Sequence, residues 1–305
     1  MHAAPATSTN AELLQAATAR LRAVGIDTAQ LDAEILLALA LNTDRAGLYA
    51  RLRNVASADV AARFAPLVER RARREPVAYI TGVQEFWSLP FAVSPSVLIP
   101  RPETERLVEI ACRLWRQGSA GPRRADSPAG DAGANASRGW SVCDVGTGSG
   151  CIAIALASEL GGASITAVDS SVAALVVAAG NAAAHGVAHR IAFVRGDLFD
   201  ALDPETCFDL IVCNPPYLAA DDAMAPEVAF EPGAALTAGR DGLAVIRRLI
   251  ASAPDRLRRS GWLVMELGLG QDVAVRQLAR AAGLVEIEVE PDLAGIARVL
   301  VARRP

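Results

Sequence analysis

The sequence predicts an α/β protein in which a small helical domain precedes a mainly parallel sheet with helices on both faces. Three observations carry this reading. Residues up to about 75 hold apolar side chains at helical spacing with capping signals. From Pro76 the texture turns β-branched, aromatic and proline-rich. From Trp140 onward strand-like and helix-like segments alternate, which is the pattern of a parallel sheet whose crossovers are helices.

The elements follow in order. Thr9 and Glu12 form a capping box, Leu13, Leu14, Ala17 and Leu21 keep one helical face, and Gly25 ends the pattern. LDAEILLALAL supplies a second helix. A third, from about Ser57 to Arg74, puts Val60, Phe64, Leu67 and Val68 on one face, with Arg63, Arg70, Arg71, Arg73 and Arg74 mostly elsewhere. Such an arginine run is more often a solvated face than a binding surface, yet a local positive patch can steer an acidic partner. Residues 1–75 therefore read as a helical domain, and 76–101 as a β-hairpin or extended connector.

Pro102 suits the first turn of a helix carrying Leu107, Val108, Ile110, Ala111 and Leu114. Residues 116–139 are small, polar and breaker-rich, and read as a flexible insertion within the main domain, 102–305. Then come SVCDV, CIAIALASEL, SITAVD, SVAALVVAAGNAAAH, IAFV, FDLIVCN, DGLAVIRRLIASAP, GWLVMEL, QDVAVRQLARAA, LVEIEVE and IARVLVA. The last two, joined by PDLAG, look like successive strands and predict an antiparallel edge.

Composition excludes several chemistries. With 305 residues, 52% of them hydrophobic and 21% charged, the chain can bury a sizeable core. It contains no lysine, so a Schiff-base or Walker lysine is impossible. A net charge of −4 does not suggest a protein that coats nucleic acid. The five cysteines form no CxxC and sit mostly in apolar runs, and the three histidines have no metal-ligand spacing. The expectation is a cytoplasmic protein without metal, leader or membrane span.

Two motifs carry chemistry. Asp144-Val-Gly146-Thr147-Gly148-Ser149-Gly150 follows a strand and opens an apolar helix. Its glycines let a ligand approach the backbone, and the next strand ends in Asp169, whose carboxylate can accept from both hydroxyls of a ribose. The spacing differs from the dinucleotide fingerprint and suggests a nucleoside ligand without a pyrophosphate. Asn214-Pro215-Pro216-Tyr217 stands at the carboxyl end of FDLIVC. The prolines fix the backbone, so the Asn214 side-chain oxygen and the Pro215 carbonyl can face a planar NH2 group as two acceptors.

DVGTGSG, the acid ending the next strand and NPPY, in this order, resemble class I S-adenosylmethionine-dependent methyltransferases acting on an amino or amide nitrogen. REPVAYITGVQEFWSLPFAVSPSVLIPRPETE, FEPGAALTAGRDGLAVIRRLI, MELGLGQ and PDLAGIARVLVARR narrow this to a resemblance, over most of residues 10–305, with the bacterial peptide chain release factor glutamine methyltransferases, the PrmC or HemK family. The resemblance implies a Rossmann-like, mainly parallel seven-stranded sheet with an antiparallel edge. It implies S-adenosyl-L-methionine as cofactor, with S-adenosyl-L-homocysteine as product. Asp144, Gly146, Thr147, Gly148, Ser149 and Gly150 would line its methionine and ribose part, Asp169 would hold the ribose, and Asp197 and Leu198 would meet the adenine. Asn214, Pro215, Pro216 and Tyr217 would bind the substrate amide, Asn214 also lying near the cofactor. That substrate would be the side-chain nitrogen (N5) of the GGQ glutamine of class-1 release factors. A monomer with no direct nucleic-acid contact is expected, the helical domain recognising the factor. Transfer would be a direct displacement, with positioning supplying much of the rate. Two alternatives stay open: a nucleic-acid amino-methyltransferase using the same socket, and a non-catalytic cofactor-binding module.

Overall fold

The computed structural model describes residues 8–120 and 139–305, so most of the segment read as a flexible insertion lies outside the described residues. The chain forms two compact units.

The first comprises residues up to Val83 together with the returning segment Met224–Phe230. Among its described residues are five α-helices, α1 (Asn10–Ala23), α2 (Ala29–Ala40), α3 (Arg45–Ala50), α4 (Ala58–Ala72) and α5 (Val77–Thr81), and a 3-10 turn at Pro226–Phe230. The Thr9–Glu12 capping box is formed, and Ser57 caps α4 by accepting from the Val60 amide. Leu21, Leu36, Leu37, Leu48, Phe64 and Val68 meet in one core. Of the five arginines expected on a solvated face, Arg63 and Arg73 are exposed, while Arg70, Arg71 and Arg74 are paired within this unit. The Arg71 side chain is only 7% exposed and pairs with Asp32 at 2.7 Å and Glu227 at 3.0 Å. Arg70 pairs with Glu75, and Arg74 pairs with Glu227 and donates to the Gly25 carbonyl. The helical unit also runs further than residue 75, because α5 packs against α2 and α4 rather than extending as connector.

The second unit opens with the hairpin β1 (Val83–Phe86) and β2 (Leu89–Ala92), whose Phe86 and Phe91 meet edge to face. Pro102 opens a tight 3-10 turn that leads into α6 (Glu105–Ala120), so residues 116–120, read as the start of the insertion, are helical. Then follow β3 (Ser141–Val145), α7 (Cys151–Glu159), β4 (Ser164–Asp169), α8 (Val172–Ala184), β5 (Ile191–Arg195), β6 (Phe208–Cys213), α9 (Ala244–Arg256), β7 (Leu257–Glu266), α10 (Asp272–Ala281), β8 (Val285–Pro291) and β9 (Ala297–Arg303).

The sheet is seven-stranded in the order β5-β4-β3-β6-β7-β9-β8. The pairs from β5 to β7 are parallel, while β9 runs antiparallel to both its neighbours, as the closing strand pair predicts. Alternate strand residues serve opposite layers. Val142, Leu210, Val212 and Val264 face a core built on α6 and α7, whereas Cys143, Ile211, Cys213, Leu263 and Met265 face α9 and α10. A strand buried on both faces reads as a continuous apolar run, which is why these segments look alike in sequence. No helix among the described residues is long and apolar enough to cross a membrane.

Candidate active site

Strand order reverses at β3, which has β4 on one side and β6 on the other, and open α/β sheets take ligands outside the carboxyl ends of the strands at such a point. The register aligns Val145 with Val168 and Cys213, and Cys213 with Met265. The glycine loop, Asp169, Asn214 and Glu266 therefore leave the sheet along one edge.

A cavity of about 300 Å³ lies there, lined by Gly146, Gly148, Asp169, Asp197, Leu198, Asn214, Pro215 and Pro216. Sites for small organic ligands begin at about this size. Ser96, Val97 and Leu98 of the connector and Pro232, Ala234 and Ala235 also contribute to the wall, none of them singled out by sequence. Glu231 links these two stretches: buried, it accepts from the Ile99 amide at 3.0 Å and pairs with Arg101. Arg101 is thus a fastener of the connector, and Glu103 is exposed.

The glycine loop is built by backbone geometry. Gly146, Gly148 and Gly150 have φ of 74°, 55° and 82°, and a Cβ on Gly150 would sit 3.1 Å from that of Ala178. Only glycine meets both demands. The Val168 carbonyl accepts from the Gly146 and Thr147 amides at 2.8 and 3.0 Å. Asp169 accepts from the Gly148 amide at 2.9 Å and the Ser171 amide at 2.8 Å. A carboxylate has roughly four acceptor positions, so Asp169 keeps capacity for a diol after shaping the loop.

Four residues expected to line the cofactor site do not reach the cavity wall. Asp144 is fully buried beneath the loop, where one oxygen accepts from Thr147 Oγ1 at 2.6 Å and from the Ala153 amide at 3.1 Å, and the other has no partner among the described residues. Burial pushes its carboxyl up to about 7. Thr147 and Ser149 are buried, and Gly150 is packed against α8. Their shared role is to hold the turn, because a carboxylate under three glycines supplies acceptors that the turn needs for its own hydroxyl and amide. Asp197 does line the cavity, with one oxygen held by Arg248 of α9 at 2.8 Å.

Asn214 sits at the other end of the cavity. Its Nδ2 donates to Thr104 Oγ1 at 3.0 Å, and Thr104 donates to Glu266 Oε2 at 2.6 Å. Among the described residues no group donates to Asn214 Oδ1, so the amide oxygen is left available at the cavity wall. Tyr217 is brought close but not to the wall; its hydroxyl stands 3.3 Å from Glu266 Oε1 and its carbonyl accepts from Gln271 Nε2 at 2.9 Å. Burial raises both the Glu266 carboxyl and the Tyr217 phenol above their ordinary ranges. Buried Asn181 of α8 also escaped the sequence reading. It donates to the Ser149 and Ala92 carbonyls and accepts from the Ala92 amide, tying the glycine loop to β2. Among the described residues no cluster of three or more side chains could hold a metal ion.

The chain is 45% identical over 295 residues to the release factor glutamine methyltransferase of Xylella fastidiosa strain 9a5c, covering 96% of this chain and 97% of that one. It belongs to the release factor glutamine methyltransferase family. The members from Cereibacter sphaeroides and Geobacter sulfurreducens are 44% and 41% identical, over 97% and 92% of this chain and 98% and 91% of theirs. Within this family the helical unit corresponds to the PrmC N-terminal domain, matched over residues 12–82, and the methyltransferase small domain is matched over 134–231. Solved structures show the same fold: the hMettl16 catalytic domain in complex with the MAT2A 3′UTR hairpin 6 matches with a TM-score of 0.53 and 18% identity over 77% of this chain and 82% of that one. The T. Thermophilus 16S rRNA N2 G1207 methyltransferase RsmC, solved with AdoMet and guanosine, gives 0.51 and 20% identity, covering 73% and 50% of the two chains. As in the rest of this family, the chain is an S-adenosylmethionine-dependent methyltransferase.

Proposed function

We propose that this chain methylates the side-chain amide nitrogen of glutamine in peptide chain release factors, the target being the GGQ glutamine of the class-1 factors. One observation supports the reading at the site: Asn214, held by its NH2 half, lines a cavity beside Pro215 and Asp169, and its side-chain oxygen has no donor among the described residues. The residues fit S-adenosylmethionine. Gly146 and Gly148 offer close backbone, Asp169 retains acceptor capacity, and Leu198 and the prolines give apolar wall. When bound, that molecule supplies an electrophilic methyl group on a sulfonium.

The chain's own part is positioning. Two acceptors, Asn214 Oδ1 and the Pro215 carbonyl, orient the substrate NH2 and favour electron density on its nitrogen, which amide resonance otherwise withdraws. Holding nitrogen and methyl carbon in line converts a bimolecular step into a unimolecular one. Asp144, Thr147, Ser149 and Gly150 support the loop, and Asp197 borders the adenine end. A single glutamine side chain presents few contacts, so choice of one residue in one protein needs a second surface, for which the helical unit is the natural supplier.

Incubation with labelled S-adenosylmethionine and a release factor, followed by peptide mass analysis, should place one methyl on the GGQ glutamine. Labelling of DNA or RNA with the release factor left unmodified would replace this reading with the nucleic-acid alternative.

A further inference from the structure

An asparagine amide is nearly symmetric in shape, so a socket that depends on its oxygen must be told which end is which. Shape cannot do this for Asn214, and neither can its immediate neighbour. The Thr104 hydroxyl both donates and accepts, and would satisfy either end of the amide equally well. The next group is different. Both oxygens of Glu266 are used as acceptors, Oε2 from Thr104 at 2.6 Å and Oε1 from Tyr217 at 3.3 Å, so the Thr104 proton is committed to Glu266 and its lone pairs are left facing Asn214. Only the NH2 end of Asn214 can then face Thr104, at 3.0 Å, and the oxygen is turned to the cavity. Thr104 and Glu266 are 2% and 1% exposed, so water does not compete for these bonds.

We propose that Glu266, acting through Thr104, is a positioning residue that sets the polarity of the Asn214 amide and thereby the acceptor that receives the substrate NH2. Reversal of the amide would put its NH2 against the substrate NH2, two donors face to face. The chain of bonds joins three separate stretches: the turn before α6, the end of β6 and the end of β7. Register makes the juxtaposition natural, since Cys213 pairs with Met265 and the next residue on each strand is Asn214 and Glu266. Tyr217 at 3.3 Å is the second, longer contact to the same carboxylate.

The inference rests on the amide-methylation reading, and the test separates the two. Thr104→Val keeps the shape and deletes the relay; Thr104→Ser restores it; Glu266→Gln keeps an acceptor but removes the acceptor-only character. Methylation of the release factor by Thr104→Val should show kcat reduced about 10–100-fold, with the release-factor KM and S-adenosylmethionine affinity within about twofold, the pattern for an interaction realised in the transition state. Thr104→Ser should recover most of the rate, and Glu266→Gln should fall between. The Asn214 side-chain NH2 signals, identified by their loss in Asn214→Ala, should show slow hydrogen exchange in the unaltered protein and fast exchange in Thr104→Val. Unchanged kcat in Thr104→Val, a loss confined to KM, or unprotected Asn214 protons in the unaltered protein would overturn the relay and leave the methylation reading standing. A protein that labels no release factor yet shows the protected, Thr104-dependent signals would overturn the reading and leave the relay standing.

Discussion

Asn214 gives half of its amide to the fold and leaves the other half at the cavity, so its removal should separate binding from chemistry. Asn214→Ala is expected to keep most S-adenosylmethionine affinity while methyl transfer falls roughly 100-fold or more, read by calorimetry and by turnover. Asp169 has a double duty, two backbone amides and the expected ribose, and Asp169→Ala should weaken cofactor binding by about 1.5–3 kcal/mol, the scale of hydrogen bonds to a charged group. Full affinity in the folded variant would take Asp169 out of the site. Asp144 makes a pH prediction. Its carboxyl is held at about 7 in the fold against an ordinary value near 3.8. The folded chain therefore keeps a proton that the unfolded chain has released, and this contribution to stability is lost as pH rises through that window. Thermal melts of Asp144→Asn should lose less stability than the unaltered protein between about pH 4 and 7; parallel curves would sink the assignment.

These residues also mark what the sequence could tell. The glycine loop, Asp169 and NPPY are legible because each is a local pattern tied to a strand end. Asp144 is legible as a member of the motif but not as its buried support, since burial depends on α7 folding over it. Thr104 and Glu266 were illegible as partners of Asn214. They are single letters 162 positions apart, joined only by strand register.

At the scale of elements, α8 does more than cover the sheet. Asn181 binds the Ser149 carbonyl and both backbone groups of Ala92, and Asn181→Ala would leave buried groups unpaired. A loss of about 1–3 kcal/mol in unfolding free energy is expected, with weaker S-adenosylmethionine binding because the glycine loop loses its anchor. Denaturant titration and calorimetry read the two effects. The long apolar helices and the antiparallel edge were readable from periodicity. Helices α3 and α5 were not, because six and five residues are too few to display a face. Arg71 of α4 misled for a related reason. Charge on a helix looks solvated until the carboxylates opposite it, here Asp32 and Glu227, are known.

For the whole molecule, the buried Arg71–Asp32 pair ties α4 to α2 within the helical unit. Removing one member of a buried pair typically costs about 3–5 kcal/mol when the other charge is stranded; Glu227 leaves Arg71 a second partner, so the loss in Asp32→Ala should fall below that range. In Asp32→Ala, hydrogen exchange should show lost protection in α2 and α4 with α7 and β6 retaining theirs, and methylation of the release factor should fall while S-adenosylmethionine affinity holds. Equal loss of protection in both units would show that they unfold as one.

The returning segment Met224–Phe230 gives the helical unit a birth order. Its Glu227 lies 156 residues downstream of Arg71, the side chain it pairs with. At a synthesis rate of about 5–20 residues per second, that carboxylate leaves the ribosome roughly 8–30 s after the arginine it completes. Asp32 precedes Arg71 and can neutralise it at once, so the nascent helices have one counter-charge early and the second only after β3 to β6 and NPPY have been made. On the ribosome the first unit to begin folding is thus finished by a strip of the chain made long after its helices.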